Sequence, residues 1–327
     1  MSSDDNLSKK TKSMNQSGAF LQIHIINELK KRNWTVLAEY PIRISPFLDL
    51  PAKQPILYTR LLNHLDVEPI SFVRAARESM DKTTVKETSI DVIGERIIND
   101  DYCFNLCIES KKLDPRFIDW VFFQQTKHEN TLRFLMRQHF IKKPVLLKTP
   151  KTTKNKETYL TINTIQGELD YPVCDFALSL KSEEVDREYY KSDKTKVDDA
   201  SRQIIEGTYG FIVDRIFQHV LKGDPQMNRG LTDCFIPLVV TNANLFICEF
   251  DENEIDSKSG KIKNEPTYKP VDSLIYECPA PKSVQFPEPL EADSTPEENN
   301  AITKWHVLVL SPKGFSEFLQ KFGRKSQ

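Results

Sequence analysis

Hydrophobic and polar positions change period several times along the chain. In AFLQIHIINELKKR, beginning at Ala19, the residues Phe20, Ile23, Ile26 and Leu29 recur near helical spacing and Lys30, Lys31 and Arg32 fall at the end. That pattern predicts an amphipathic helix opened at Gly18, with cations in the last turn where the helix dipole favours them. WTVLAEYPI follows as a strand. SIDVIGERIIN and DYCFNLCIESK read as two more strands, separated by a polar turn around Asn99–Asp101. The second of these alternates clearly. Tyr102, Phe104, Leu106 and Ile108 take one face, and Cys103, Asn105, Cys107, Glu109 and Lys111 take the other.

Further along, KKLDPRFIDWVFF leaves that strand through a proline turn into apolar sequence, and TLRFLMRQHF reads as a short helix. VDDASRQIIEGTYGFIVDRIFQHVLKG is the longest helical pattern, interrupted or eased at Gly207 and Gly210. CFIPLVVTNANLFICEF reads as two strands around a Thr-Asn-Ala-Asn turn. KWHVLVLSPKGFSEFLQKF closes the chain as a strand and a helix capped by Ser311. Residues 1–16 are polar and aperiodic and read as a tail. The remainder, 17–327, reads as one domain with insertions at about 46–88 (helical), 142–200 and 251–300 (polar, Pro-rich loop with partial disorder). Alternation of helices and strands predicts an α/β fold with a mixed central sheet.

Composition narrows this picture. Hydrophobic residues are 39% and charged residues 28% of 327, with no apolar run long enough to span a bilayer and no apolar segment behind the N-terminal MSSDDNLSKKTKS. A cytoplasmic protein is therefore expected. The net charge of −2 excludes a globally basic nucleic-acid binder but leaves room for a local basic patch. The six cysteines form no Cys-x-x-Cys pair and several lie in apolar strand-like runs, so they read as buried free thiols. The six histidines show no metal-ligand spacing, and no phosphate-cradling Gly-rich loop or Gly-x-Ser-x-Gly elbow is present. Trp34 and Trp305 read as core residues, and Trp120 reads as a core anchor or else as a stacking residue in a substrate groove.

The segment that carries chemistry is Asp91 on one strand and Glu109-Ser110-Lys111 at the end of the next. Residues two apart on a strand share a face, so Glu109 and Lys111 project together while Ser110 points away and is not expected to act as a nucleophile. Carboxylates are hard oxygen ligands suited to Mg²⁺, which keeps waters available for chemistry. A neighbouring lysine can orient the attacking water and favour its deprotonated form.

A helix, a strand, a strand with Asp and a strand with Glu-x-Lys, in that order, resemble the PD-(D/E)XK or restriction-endonuclease-like nucleases over about residues 18–125. The resemblance implies a core with a mixed sheet flanked by helices, and a Mg²⁺-dependent endonuclease (Mn²⁺ substituting) that cuts DNA, in restriction or defence. Asp91 and Glu109 would bind the metal and Lys111 would position the water. Gln203 on the later helix matches a glutamine found near the site in several branches. A glutamate common on the first helix is replaced here by Gln22, with Glu28 or Glu39 as substitutes for it in holding the metal. The proline of the motif name is replaced by Ile90. Lys142, Lys143, Lys148, Lys151 and Lys154 form a lysine-rich loop that reads either as a phosphate-contacting face or as a solvated loop. Such nucleases often act as homodimers or with partner proteins. Two alternatives stay open: a non-catalytic nucleic-acid-binding or assembly module that keeps the fold, and an RNA-directed nuclease.

Overall fold

A computed structural model of the chain describes residues 18–43, 87–98, 102–113, 119–124, 132–138, 160–165, 171–180, 192–193, 195–222, 232–279, 281 and 304–323. The fold is mixed α/β, as the alternation of patterns predicts. Helix α1 (Ala19–Lys30) leads into an antiparallel meander of β1 (Thr35–Arg43), β2 (Glu87–Ile98) and β3 (Tyr102–Lys111). Helix α2 (Thr195–Lys222) then crosses over to β9 (Thr232–Thr241), which lies parallel to β3 along its whole length. Strand β13 (Lys304–Leu310) adds in parallel beside β9 and is followed by α3 (Pro312–Gly323).

The remaining strands extend this sheet: β4 (Asp119–Gln124), β5 (Leu132–Gln138), β6 (Leu160–Ile165), β7 (Val173–Leu180), β8 (Ser192–Asp193), β10 (Asn244–Glu249), β11 (Thr267–Val271) and β12 (Ser273–Pro279). The continuous path runs β1-β2-β3-β9-β13-β12-β7-β4-β10-β11, with β5, β6 and β8 attached at its sides. Only Asp272 separates β11 from β12, yet β11 pairs with β10 while β12 pairs with β13 and β7. The far half of the sheet therefore rolls up until the strand path meets itself.

Each face of the sheet has its own core. One is built under α2 from Ile90, Ile93, Cys107, Phe235, Val239, Ile204, Ile205 and Phe211. The other packs Val92, Leu106, Ile108, Leu238 and Val240 against Ile25 and Leu29 of α1 and Phe315, Phe318 and Leu319 of α3. The alternation predicted for β3 is thus realised, with its even positions towards α1 and α3 and its odd positions towards α2. Trp34, Trp120 and Trp305 are buried core residues, and all six cysteines are buried and free. Ser311 caps α3, its Oγ accepting from the Gly314 N–H at 3.0 Å.

Several expectations are corrected. Residues 132–138 form strand β5, not a helix, because they pair with both β6 and β9. An apolar-polar run this short fits either period, and pairing decides it. β9 is shared: β5 pairs with 232–235 and β13 with 238–240, and Pro237, which has no N–H to give, falls between the two. The two strands expected around the Thr-Asn-Ala-Asn turn do form, and they pair with other strands rather than with each other. The region from 251 to 300 contains β11, β12 and a short 3-10 helix at Glu252–Glu254 rather than loop alone. The α2 pattern runs unbroken through Gly207 and Gly210. The tail at 1–16 and nearly all of the 46–88 insertion lie outside the described residues. No helix among the described residues is long and apolar enough to cross a membrane.

Candidate active site at the strand fork

The site is set by where β2 and β3 part. Their pairing runs from Ile98↔Tyr102 up to Val92↔Ile108. Beyond that point β2 continues to pair with β1 as far as Glu87, and β3 continues with β9 as far as Lys111↔Thr241. A fork opens at Asp91 on one arm and Glu109 on the other. Backbone N–H groups at such a fork lose their strand partner and need another acceptor. Asp91 supplies one: its Oδ2 accepts from the Ser110 N–H at 2.8 Å and from Ser110 Oγ at 2.8 Å.

Both helices reach the fork. From α1, Gln22 Nε2 donates to the Asp91 carbonyl at 3.1 Å. From α2, Gln203 Nε2 donates to Glu109 Oε2 at 3.1 Å. Lys111 Nζ lies 3.3 Å from Glu109 Oε1 and 3.4 Å from Gln203 Oε1, so glutamine, glutamate and lysine close a triangle. Gly207 makes this geometry attainable. A Cβ there would stand 2.8 Å from Ile90 Cγ1, so α2 approaches β2 as closely as glycine permits. Gln203 sits one turn earlier on the same helix and is carried over Glu109.

Glu109 is only 3% exposed. Burial pushes its carboxyl up to about 7, the Asp91 charge adds to the rise, and Lys111 offsets part of it. One lysine facing two carboxylates leaves the fork short of positive charge. Asp91 Oδ1 and Gln22 Oε1 make no hydrogen bond among the described residues. Two carboxylates are a donor set that fits a hard divalent cation such as Mg²⁺, which takes one or two protein carboxylates and keeps waters. No group of three or more His, Cys, Asp or Glu side chains suited to a metal forms among the described residues.

Asp91, Glu109, Lys111 and Gln203 are therefore brought together. Glu28 is not, which corrects its expected place as a metal ligand. Its Oε1 accepts from Lys31 Nζ at 2.9 Å, and its Oε2 accepts from Arg32 Nη1 at 2.6 Å and Ser316 Oγ at 3.0 Å. Three donors, two of them cationic, satisfy this carboxylate and tie α1 to α3. Glu39 sits across β1 from Asp91, between the pairs Ala38↔Val92 and Tyr40↔Ile90, but joins no metal group. Its φ of 50° is an uncommon backbone state for a non-glycine residue, placed beside the fork. Lys142, Lys143, Lys148, Lys151 and Lys154 lie outside the described residues.

Ser110 is the site residue that sequence reasoning passed over. Alternation correctly turns it away from Glu109, but only the fork shows that Asp91 comes to meet it. Its place between Glu109 and Lys111 was the available signal. No family model matches the chain, and no curated protein and no solved structure matches it.

Proposed function

We propose that the protein is a divalent-cation-dependent nuclease of the PD-(D/E)XK type that hydrolyses phosphodiester bonds of DNA in the cytoplasm. The fork between β2 and β3 carries this reading. It places an Asp, a Glu-x-Lys pair and a helix glutamine at one point, within a helix, three-strand meander, crossover helix and parallel strand in that order. Asp91 through Oδ1, and Glu109, would hold the cation. A bound Mg²⁺ supplies the Lewis acidity that activates water and neutralises charge on a phosphate. Lys111 brings a cation with three donors to the same spot, suited to orienting a water and to meeting charge that develops on the phosphate. Gln203 spans Glu109 and Lys111 and keeps the two in register. Restriction or defence against foreign DNA is the role this reading assigns by analogy of fold alone.

A second reading, a nucleic-acid-binding or assembly module without activity, is favoured by one observation. Each oxygen of Glu109 already has a partner, Lys111 on one and Gln203 on the other, so a cation would have to share or displace one of them.

The test is cleavage of plasmid and single-stranded DNA with Mg²⁺ or Mn²⁺ by the wild type, Asp91→Ala and Lys111→Ala, with an RNA of the same sequence alongside. Metal-dependent cutting of DNA that both substitutions abolish is the expected result. A folded wild type that cuts nothing points to the binding module, preferential cutting of RNA moves the substrate, and cutting that survives both substitutions removes the fork as the site.

A further inference from the structure

Where two strands separate, a side chain must replace the lost ladder bonds, and the choice of side chain decides what else it can do. At this fork the replacement is Asp91. Both hydrogen bonds from Ser110, one from its N–H and one from its hydroxyl, fall on the same oxygen, Oδ2, at 2.8 Å each. The carboxylate is thereby made asymmetric. Oδ2 has two donors and its lone pairs are engaged, while Oδ1 accepts no hydrogen bond among the described residues. On the other side Gln22 Nε2, from α1, holds the Asp91 carbonyl at 3.1 Å and fixes the backbone that carries the carboxylate.

We infer that Ser110 and Gln22 are positioning residues that clamp Asp91 from side chain and main chain, so that Oδ1 is its one oxygen offered to a divalent cation. The inference rests on reading the fork as a cation site. Two hydrogen bonds to one oxygen remove the torsional freedom of a carboxylate, so the loose oxygen is held where a ligand must be, with little ordering left to do on binding. Ser110→Ala removes the hydroxyl but keeps the N–H bond, and Ser110→Thr keeps both. Gln22→Ala releases the carbonyl without touching the carboxylate.

The experiment is titration of the full chain with Mn²⁺ alone, free ion followed by electron paramagnetic resonance, for the wild type, Asp91→Ala, Ser110→Ala, Ser110→Thr and Gln22→Ala. Melting without metal confirms that each is folded. The wild type is expected to bind Mn²⁺ and Asp91→Ala to lose it. Ser110→Ala and Gln22→Ala each weaken binding by about tenfold, the scale of a lost group behind a metal ligand, and Ser110→Thr stays within about threefold of wild type. Wild-type affinity in Ser110→Ala and in Gln22→Ala overturns the inference and leaves the cation site standing. Equal weakening by Ser110→Thr and Ser110→Ala also overturns it, since packing rather than the hydroxyl would then be at work. A wild type that binds no Mn²⁺, or an Asp91→Ala that binds like wild type, removes the cation reading of the fork and the inference with it.

Discussion

Two glutamates in this protein have little solvent exposure, and their carboxyls are pushed in opposite directions. Glu28 on α1 is 7% exposed and Glu109 on β3 is 3% exposed. Glu28 has Lys31, Arg32 and Ser316 around its two oxygens. Hydrogen bonding to Lys31 first, against the cost of burial and with Arg32 and Ser316 helping, holds its carboxyl down to about 2. Glu109 has a single lysine, an amide and a second carboxylate nearby, and burial pushes it up to about 7. A compensated buried charge is a fastener: here it ties α1 to the Ser316 turn of α3. Glu109, with one lysine and a second carboxylate beside it, is offset less fully, and on the proposed reading that mismatch is where the cation would sit.

The comparison breaks first on pH. Because the folded protein raises the Glu109 pKa from its ordinary 4.5 to about 7, the fold holds that proton more tightly than the unfolded chain does. The cation-free protein should therefore lose stability as pH rises from about 4.5 to about 7, by up to about 3 kcal/mol from this group. Glu28 runs the other way: its contribution is complete above about 4.5 and is lost as pH falls through about 2. Denaturant melts of wild type and Glu109→Gln across this range check the claim. Equal slopes for the two proteins would contradict it, and saturating Mg²⁺ should flatten the wild-type slope.

Gln203→Ala should lower metal-dependent cleavage by about 10- to 100-fold with little change in melting, as loss of a group that orients a metal ligand does. Arg32→Ala tests the fastener instead. It should cost about 2 kcal/mol, less than a fully buried pair because the arginine is partly exposed, and leave cleavage by the folded protein unchanged. The smallest effect is expected for Gly207→Ala. About 1 kcal/mol of helix propensity is gained, but the new methyl would stand 2.8 Å from Ile90 Cγ1. Overpacking outweighs the gain by about 1 kcal/mol, and the shift of α2 moves Gln203 off Glu109. A more stable, equally active variant would show that the close approach is not needed.

Local periodicity made part of this legible. The two-residue alternation of β3 is enough to place Glu109 with Lys111, because residues two apart on a strand share a face. The long helical pattern of α2 contains Gln203, whose place at the site came from the family resemblance and not from periodicity. What the sequence could not show is what lies across large separations. Arg32 donates to Glu28 from just past the end of the same helix, but Ser316, which completes that site, is 288 residues away. Without it Glu28 looks as available as any acid. The same holds for β5, whose strand state comes from pairing with β6 and β9, and for the rolled half of the sheet, whose closure depends on one residue between β11 and β12. Ser110 was hidden for a different reason: regular alternation describes a ladder, and the contact to Asp91 exists because the ladder ends there.

The measurement that tests the account most directly is Mg²⁺-dependent cleavage of plasmid DNA by Glu109→Gln and Glu28→Gln, with the melting temperature of each recorded in parallel. The account predicts a double dissociation: Glu109→Gln folds at least as stably as wild type at neutral pH and does not cut, whereas Glu28→Gln melts earlier and still cuts. A Glu109→Gln protein that cuts like wild type, or a Glu28→Gln protein that keeps its stability and loses cleavage, would contradict it.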